Sequence, residues 1–346
     1  MTPLYNLAMV AVDVAVIVLL WKRRSGRTFW ASAAAAGGAA VVLAVLLGGS
    51  SFGVMRLAAY GLFVHAIVLL GAAAVLLRRV HKVLAAGCAA AALVGLLVGA
   101  DAFLIEPTWL EVTHRRIASP QIDRPVRIVV LADLQTDRFG PYERRVLDRV
   151  VQEKPDLILL AGDYVQLGGP EGREVARQIN AYLREMRLDA PLGVFAVRGN
   201  VDGDLTELFA GLPVTVVEST ESFEPGPLRL TCLAYDDSRD TSLEITRDGS
   251  DRFHLVLGHV PNFALGRIDA ELLVAGHTHG GQVRLPLVGP LLTLSRVPRS
   301  WAAGLTDLPG GQRLLVSRGV GMERGHAPRL RFCCRPELAV VDLVPQ

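Results

Sequence analysis

Cysteine is scarce. Four residues in 346, at positions 88, 232, 333 and 334, are too few for a disulfide scaffold. Charge is scarce as well: 20% of the chain is charged and 51% is hydrophobic, which excludes a disordered chain. The 34 glycines follow no three-residue period, so a collagen-like helix is excluded. No G-x-x-x-x-G-K-[ST] stretch occurs, so there is no Walker-type phosphate loop. Basic residues are in surplus only at the start. Residues 1–112 hold eight Lys/Arg and four Asp/Glu; of totals of 36 and 34, this leaves 28 basic and 30 acidic residues beyond position 112. A slightly acidic second part argues against nucleic-acid binding.

What the first part has is long apolar stretches, at about 4–21, 29–50, 54–77 and 83–105. A membrane-spanning helix needs about 20 apolar residues, so each qualifies. The first is not a signal peptide, because Lys22, Arg23 and Arg24 come after the apolar run and no small-residue cleavage site appears. The expectation is an all-α bundle of four transmembrane helices over 1–112 and a soluble domain over 113–346. The first loop holds Lys22, Arg23, Arg24 and Arg27, and the third holds Arg78, Arg79 and Lys82; the second holds only Arg56. Loops one and three are therefore expected in the cytoplasm, and the large domain beyond the fourth stretch on the extracytoplasmic face of the membrane. His114, Arg115 and Arg116 pull the other way. Asp13, His65 and Asp101 fall within or near the helices and read as buried or interface-facing polar residues of an anchor.

Beyond Thr113 short apolar runs alternate with helix-like stretches at 141–153 and 172–188. Strands are expected at 127–132, 156–161, 193–197, 228–234, 253–257, 271–275, 313–317 and 338–343, an α/β layered fold. The informative residues stand just past the strand ends: Asp133-Leu134-Gln135, Gly162-Asp163, Arg198-Gly199-Asn200, Gly258-His259 and Gly276-His277-Thr278-His279. In α/β sheets ligands gather outside the carboxyl ends of strands. Five strand ends thus bring two Asp, one Asn and three His to one edge. Carboxylate, amide and imidazole suit divalent ions such as Mn, Fe or Zn. A lone strand-end Asp is commonly a turn residue, but independent turn residues would not supply ligands at every strand end.

These residues, with Gly276–Gln282 reading GHTHGGQ and the later Ser317-Arg318-Gly319-Val320-Gly321 and Arg335-Pro336-Glu337, resemble the calcineurin-like metallophosphoesterases, in their membrane-associated bacterial branch. Some relatives in and around that branch are UDP-diacylglucosamine pyrophosphatases. The resemblance covers about 125–345. It implies a four-layer α/β/β/α sandwich and a pair of divalent metals: Mn first, with Fe, Zn or Mg as alternatives. Asp163 would bridge them. Asp133, Gln135 and His279 would complete the first site; Asn200, His259 and His277 would complete the second. A hydroxide held between the ions would attack phosphorus in line.

The sequence departs from the family pattern at three places. Gln135 replaces the histidine of D-x-H, Val201 the histidine after Asn in G-N-H, and Gln166 the second acid of G-D-x-x-D. Gln135 offers a carbonyl oxygen, which favours Mn or Mg over Zn. Val201 carries no proton. In the family the lost histidine is oriented by the lost acid, so the two changes pair. Without a proton donor, an activated leaving group such as the phosphate of a pyrophosphate is favoured. Asp202 or His254 taking over as acid is the competing account.

Arg198 is a candidate contact to substrate phosphate, or a partner for a nearby carboxylate. The run Leu285–Leu305 carries Leu287, Val288, Leu291, Leu292, Leu294 and Trp301, and reads either as a rim meeting the bilayer or as a segment packed on the core. The expected function is a membrane-anchored dinuclear phosphoesterase, with Asp163, Asn200, Asp202 and Arg198 at the reaction. Its substrate would be a phosphodiester or pyrophosphate, as a phosphorylated small molecule or a lipid. The alternative is a tethered module that binds metal or ligand without turnover. A transporter with a regulatory domain would need a polar path through the helices.

Overall fold

The computed structural model describes residues 1–247 and 249–346. The chain divides into two compact units: Met1–Ile105 with Gly325–Arg329, and Glu106–Arg324 with Leu330–Gln346.

In the first unit four helices, Thr2–Arg23, Gly26–Gly48, Ser51–Leu77 and Lys82–Thr108, are long and apolar enough to cross a membrane. Their outward faces are as apolar as their contacts, with Leu46 and Val83 largely exposed. Such outward faces suggest membrane insertion. Small buried residues (Ala36, Ala44, Ala73, Ala85) let the helices approach. Ser25 and Ser50 cap the second and third helices by accepting from Thr28 N (3.2 Å) and Gly53 N (3.1 Å). Two of the three ionisable groups meet: His65 Nδ1 lies 2.7 Å from Asp13 Oδ2, and both are buried.

The second unit is built on two six-stranded sheets. In the first, the spatial order is Glu111–Ser119, Glu337–Pro345, Val126–Leu131, Leu157–Leu160, Val194–Val197, Val214–Val217. In the second it is Gly304–Asp307, Arg313–Val316, Leu272–Ala275, Phe253–Leu257, Leu228–Cys232, Glu221–Phe223. The strands that carry the site run parallel within each sheet, and such strands are buried on both faces. Alternation sorts their side chains. Ile128, Val130, Leu157 and Leu159 meet Leu255, Leu257, Leu272 and Val274 between the sheets. Val129, Leu131, Ile158 and Leu160 pack outward against helices Pro141–Gln152 and Gly169–Glu185 through Val146, Val150, Ile179 and Leu183. The outer face of the second sheet is covered more thinly, by the short helix Tyr235–Arg239, the turn Pro261–Leu265 and loops. The unit is thus a layered domain with two mixed sheets at its centre.

His114, Arg115 and Arg116 lie on the edge strand Glu111–Ser119, which pairs in parallel with Glu337–Pro345. Its middle residues are exposed and charged, so it has no apolar run to betray it, and charge on an edge strand discourages intermolecular pairing. All four cysteines are free thiols, and Cys333 is exposed while Cys334 is buried.

Candidate metal centre

The first sheet delivers Asp133 and Gln135 after Val126–Leu131, Asp163 after Leu157–Leu160, and Asn200 after Val194–Val197. The second delivers His259 after Phe253–Leu257, and His277 and His279 after Leu272–Ala275. Turning a buried strand so sharply at its end costs backbone strain. Asp133 (φ 51°), Gln135 (φ 36°), Asp163 (φ 57°), His277 (φ 68°) and His279 (φ 48°) all sit in the left-handed region. Non-glycine residues there cost of order 1–3 kcal/mol each and cluster at functional sites. Glycine is needed where backbones touch: a Cβ on Gly199 would lie 2.1 Å from Asp163 Oδ1.

The side chains converge. Asp163 Oδ2 is 3.4 Å from His259 Nε2. Asn200 Oδ1 is 3.1 Å from His259 Nε2 and 2.7 Å from His277 Nδ1. One donor atom each from Asp163, His259 and His277 fall within 4.8 Å of one another. Asp133 accepts the His277 amide on both carboxylate oxygens at 3.0 Å. His259 Nδ1 bonds the Ala161 carbonyl at 2.7 Å, which aims Nε2 inward.

Electrostatics keep the imidazoles unequal. Burial would lower His259, but Asp163 and Asp133 hold it up at about 9. Burial, then the charge of His259, push His277 down to about 4. Burial and Arg331 hold His279 well below the ordinary histidine range. Burial raises Asp133 to about 7. Burial also pushes Asp163 up, but His259 outweighs it and the carboxyl lies below its usual range.

Buried donors without partners mark what is missing. Both ring nitrogens of His279 and Oε1 of Gln135 are buried with no hydrogen bond among the described residues. Each such atom costs about 1–3 kcal/mol unless something meets its lone pair. A hard or borderline divalent cation meets oxygen and imidazole lone pairs together, so the donor set fits a metal.

The comparisons agree with that chemistry. The family model for calcineurin-like phosphoesterases matches residues 126–281. The chain is 31% identical over 256 residues to the phosphodiesterase YaeI of Escherichia coli, covering 69% of this chain and 90% of that protein. It is 30% identical over 259 residues to the uncharacterized metallophosphoesterase YkuE of Bacillus subtilis, covering 69% of this chain and 87% of that one. This chain belongs to the calcineurin-like phosphoesterase family. It is a hydrolase of phosphoric ester bonds, and the family uses divalent metals.

Within this calcineurin-like frame four further residues singled out by the sequence have these surroundings. Gln166 Oε1 accepts from Gln135 Nε2 at 2.8 Å, so two of the three departures from the family pattern are in contact. His254 is remote from the strand ends, bonding Thr231 Oγ1 and the Asp269 carbonyl, both at 2.8 Å. Asp202 is buried and holds the backbone, accepting amides from Asp163 (2.7 Å), Tyr164 (2.7 Å) and Gly199 (2.8 Å). Burial, then Asp163, raise its carboxyl to about 6. Arg198 is exposed, and its Nε donates to the Asp202 carbonyl at 3.0 Å, not to a carboxylate.

Two residues escaped sequence reasoning. Glu323 accepts from Gln135 Nε2 at 3.2 Å. With Gln166 it occupies the amide nitrogen, so the buried, unpartnered carbonyl oxygen is the atom offered. Glu323→Ala is expected to weaken metal binding about 10- to 100-fold with the fold retained, as read by calorimetric titration of the metal-free protein. Unchanged affinity would sink this positioning role. Arg331 is fully buried 10 residues past Gly321 and holds the loop that backs Asp133. Its one sequence signal is a lone arginine inside the apolar run Leu330–Cys334.

Proposed function

We propose that this chain is a membrane-anchored phosphoesterase that uses two divalent ions, Mn foremost, to hydrolyse a phosphodiester or pyrophosphate of a lipid or envelope precursor. The observation that supports the reading is that Asp163, Asn200, His259 and His277 come together from two sheets, with buried atoms of Gln135 and His279 left unpaired at neighbouring strand ends. Asp133, Gln135 and His279 would hold one ion, and Asn200, His259 and His277 the other, with Asp163 shared. Divalent ions in such a set supply Lewis acidity toward phosphoryl oxygens and a nucleophilic water at neutral pH.

The chain's own residues set the rest. Asp202 orients Asp163 through its amide, and Asp163 Oδ1 in turn accepts the Val201 amide at 2.9 Å. Arg198, anchored on Asp202, supplies charge for a substrate phosphate at the exposed side. Val201 cannot protonate a leaving group, and general acid catalysis is worth about 10²–10⁴-fold. A leaving phosphate needs no proton, whereas an alkoxide does.

The lipid part of the proposal rests on the loop after GHTHGGQ. Leu287 is fully exposed, and Val288, Leu291, Leu292 and Leu294 are each more than two-fifths exposed. The carbonyl of Leu294 accepts from His277 Nε2 at 3.2 Å, so this apolar rim borders the candidate centre. Exposed apolar clusters of this kind mark partner or membrane surfaces. The test uses the full-length protein in detergent or vesicles with Mn²⁺. Hydrolysis of bis(p-nitrophenyl) phosphate tests the centre, since nitrophenolate leaves without a proton. A folded, metal-loaded protein that leaves it intact favours the binding module instead. Leu287→Asp with Leu291→Asp is expected to leave that soluble activity within about twofold. It should cut hydrolysis of a vesicle-embedded phospholipid diester about tenfold or more. Equal losses on both would refute the rim.

The arginine-rich first and third loops support an extracytoplasmic catalytic domain. An alkaline phosphatase reporter fused after Gln346 is expected to be active; activity only of a cytoplasmic reporter there would reverse the orientation.

A further inference from the structure

The membrane unit contains a groove of about 570 Å³ between its third and fourth long helices, within the roughly 300–1,000 Å³ of small-molecule sites. Its lining runs from Arg56 to Ile67 on one helix and from Gly95 to Leu104 on the other. At 1.5 Å per residue the first span is about 16 Å long, the reach of an extended lipid chain rather than of a compact solute.

The sequence makes this groove in two ways. A Cβ on Gly95 would lie 3.1 Å from Ile67 Cγ1, and one on Gly99 would lie 3.2 Å from Phe63, so glycine lets the helices close the floor. Each wall also carries a π-helical turn, Gly61–His65 and Asp101–Ile105. Such turns insert a residue, rotate the side chains beyond them, and recur at functional sites.

The groove is apolar along its length and cationic at one end. Arg56 and Arg329 line it, and no carboxylate among the described residues does. Arg56 spends donors on the Gly325 carbonyl (3.1 Å) and His326 Nδ1 (3.1 Å) of the segment that packs in this unit. A guanidinium has five N–H donors, so others remain. An apolar trough ending in two guanidinium groups complements a long hydrocarbon chain bearing a phosphate.

We propose that this groove binds a membrane phospholipid with an anionic phosphate headgroup, its chain along the helices and its phosphate at Arg56 and Arg329. None of the groove's lining residues is among the candidate metal ligands.

The test is native mass spectrometry of the full-length protein in detergent. EDTA is present, so that metal-dependent hydrolysis cannot consume the probe. The probes are dioleoyl phosphatidic acid and dioleoylglycerol, which differs only in lacking the phosphate. Phosphatidic acid is expected to be retained about tenfold better or more, with the preference lost in the doubly substituted Arg56→Gln, Arg329→Gln protein. The comparison of the two lipids on the unsubstituted protein needs no variant to fold. Equal retention of the two lipids would overturn the proposal. So would a preference that survives in the double variant. Displacement of phosphatidic acid by millimolar inorganic phosphate would assign the arginines to a free anion and overturn the lipid assignment.

Discussion

Asp163→Asn is expected to lower bis(p-nitrophenyl) phosphate hydrolysis by about 10³-fold or more while the protein stays folded. The side chain is buried, its backbone is left-handed at φ 57°, and its two oxygens do different things. Oδ1 accepts the Val201 amide at 2.9 Å, and Oδ2 faces His259 Nε2 at 3.4 Å. Asparagine is nearly isosteric and keeps one oxygen for Val201. It removes the negative charge that His259 stabilises in the carboxylate. A neutral amide is a far poorer ligand for a divalent ion, and in the proposed two-ion centre the loss would reach both ions at once. Kinetics should therefore be paired with metal content by elemental analysis, where at least one ion is expected to be lost. Full activity at full metal occupancy would eliminate the shared-ligand role.

Arg331→Met is expected to destabilise the second unit by about 3–5 kcal/mol, the range for breaking a fully buried charged network. Arg331 is fully buried. Its Nε donates to the Gly321 carbonyl at 2.9 Å, one terminal nitrogen to the Cys334 carbonyl at 2.9 Å, and the other to those of Arg318 at 2.8 Å and Gly319 at 3.1 Å. Methionine fills much of the space but leaves four carbonyls facing an apolar side chain. The consequences reach the centre, because the same loop donates Val320 N to Ala132 O (3.0 Å) and Gly321 N to Asp133 O (2.7 Å). Urea denaturation followed by tryptophan fluorescence measures the stability, with metal affinity as the second readout. A variant within about 1 kcal/mol of the parent would show that water or relaxation satisfies those carbonyls.

Much of the fold and of the centre was legible because the signals are local. An apolar run of four to six residues bounded by turn residues and rich in Val, Ile and Leu reads as a buried strand. The glycine and the polar residue just past it are read in the same window. That is why the ends at Asp133, Asp163, Asn200, His259 and His277 stand out without any knowledge of packing. The apolar helices are equally plain, since a span through lipid leaves a run of about 20 residues.

What stayed hidden depends on residues far apart in the chain. Gln135 meets Gln166 across 31 residues and Glu323 across 188. His65 meets Asp13 across 52. Composition cannot register such pairs, because each member alone is an ordinary polar residue. The edge strand Glu111–Ser119 was hidden for the opposite reason: it buries too little to carry a pattern. The leucines after Gly281 show the limit of hydropathy itself, which cannot separate a segment packed on the core from one turned outward. Sequence alone determined the chemistry available, through side chains placed one or two residues past each strand. Tertiary structure alone decided which atoms face one another, because alignment of two sheets and the closure of a distant loop set those distances.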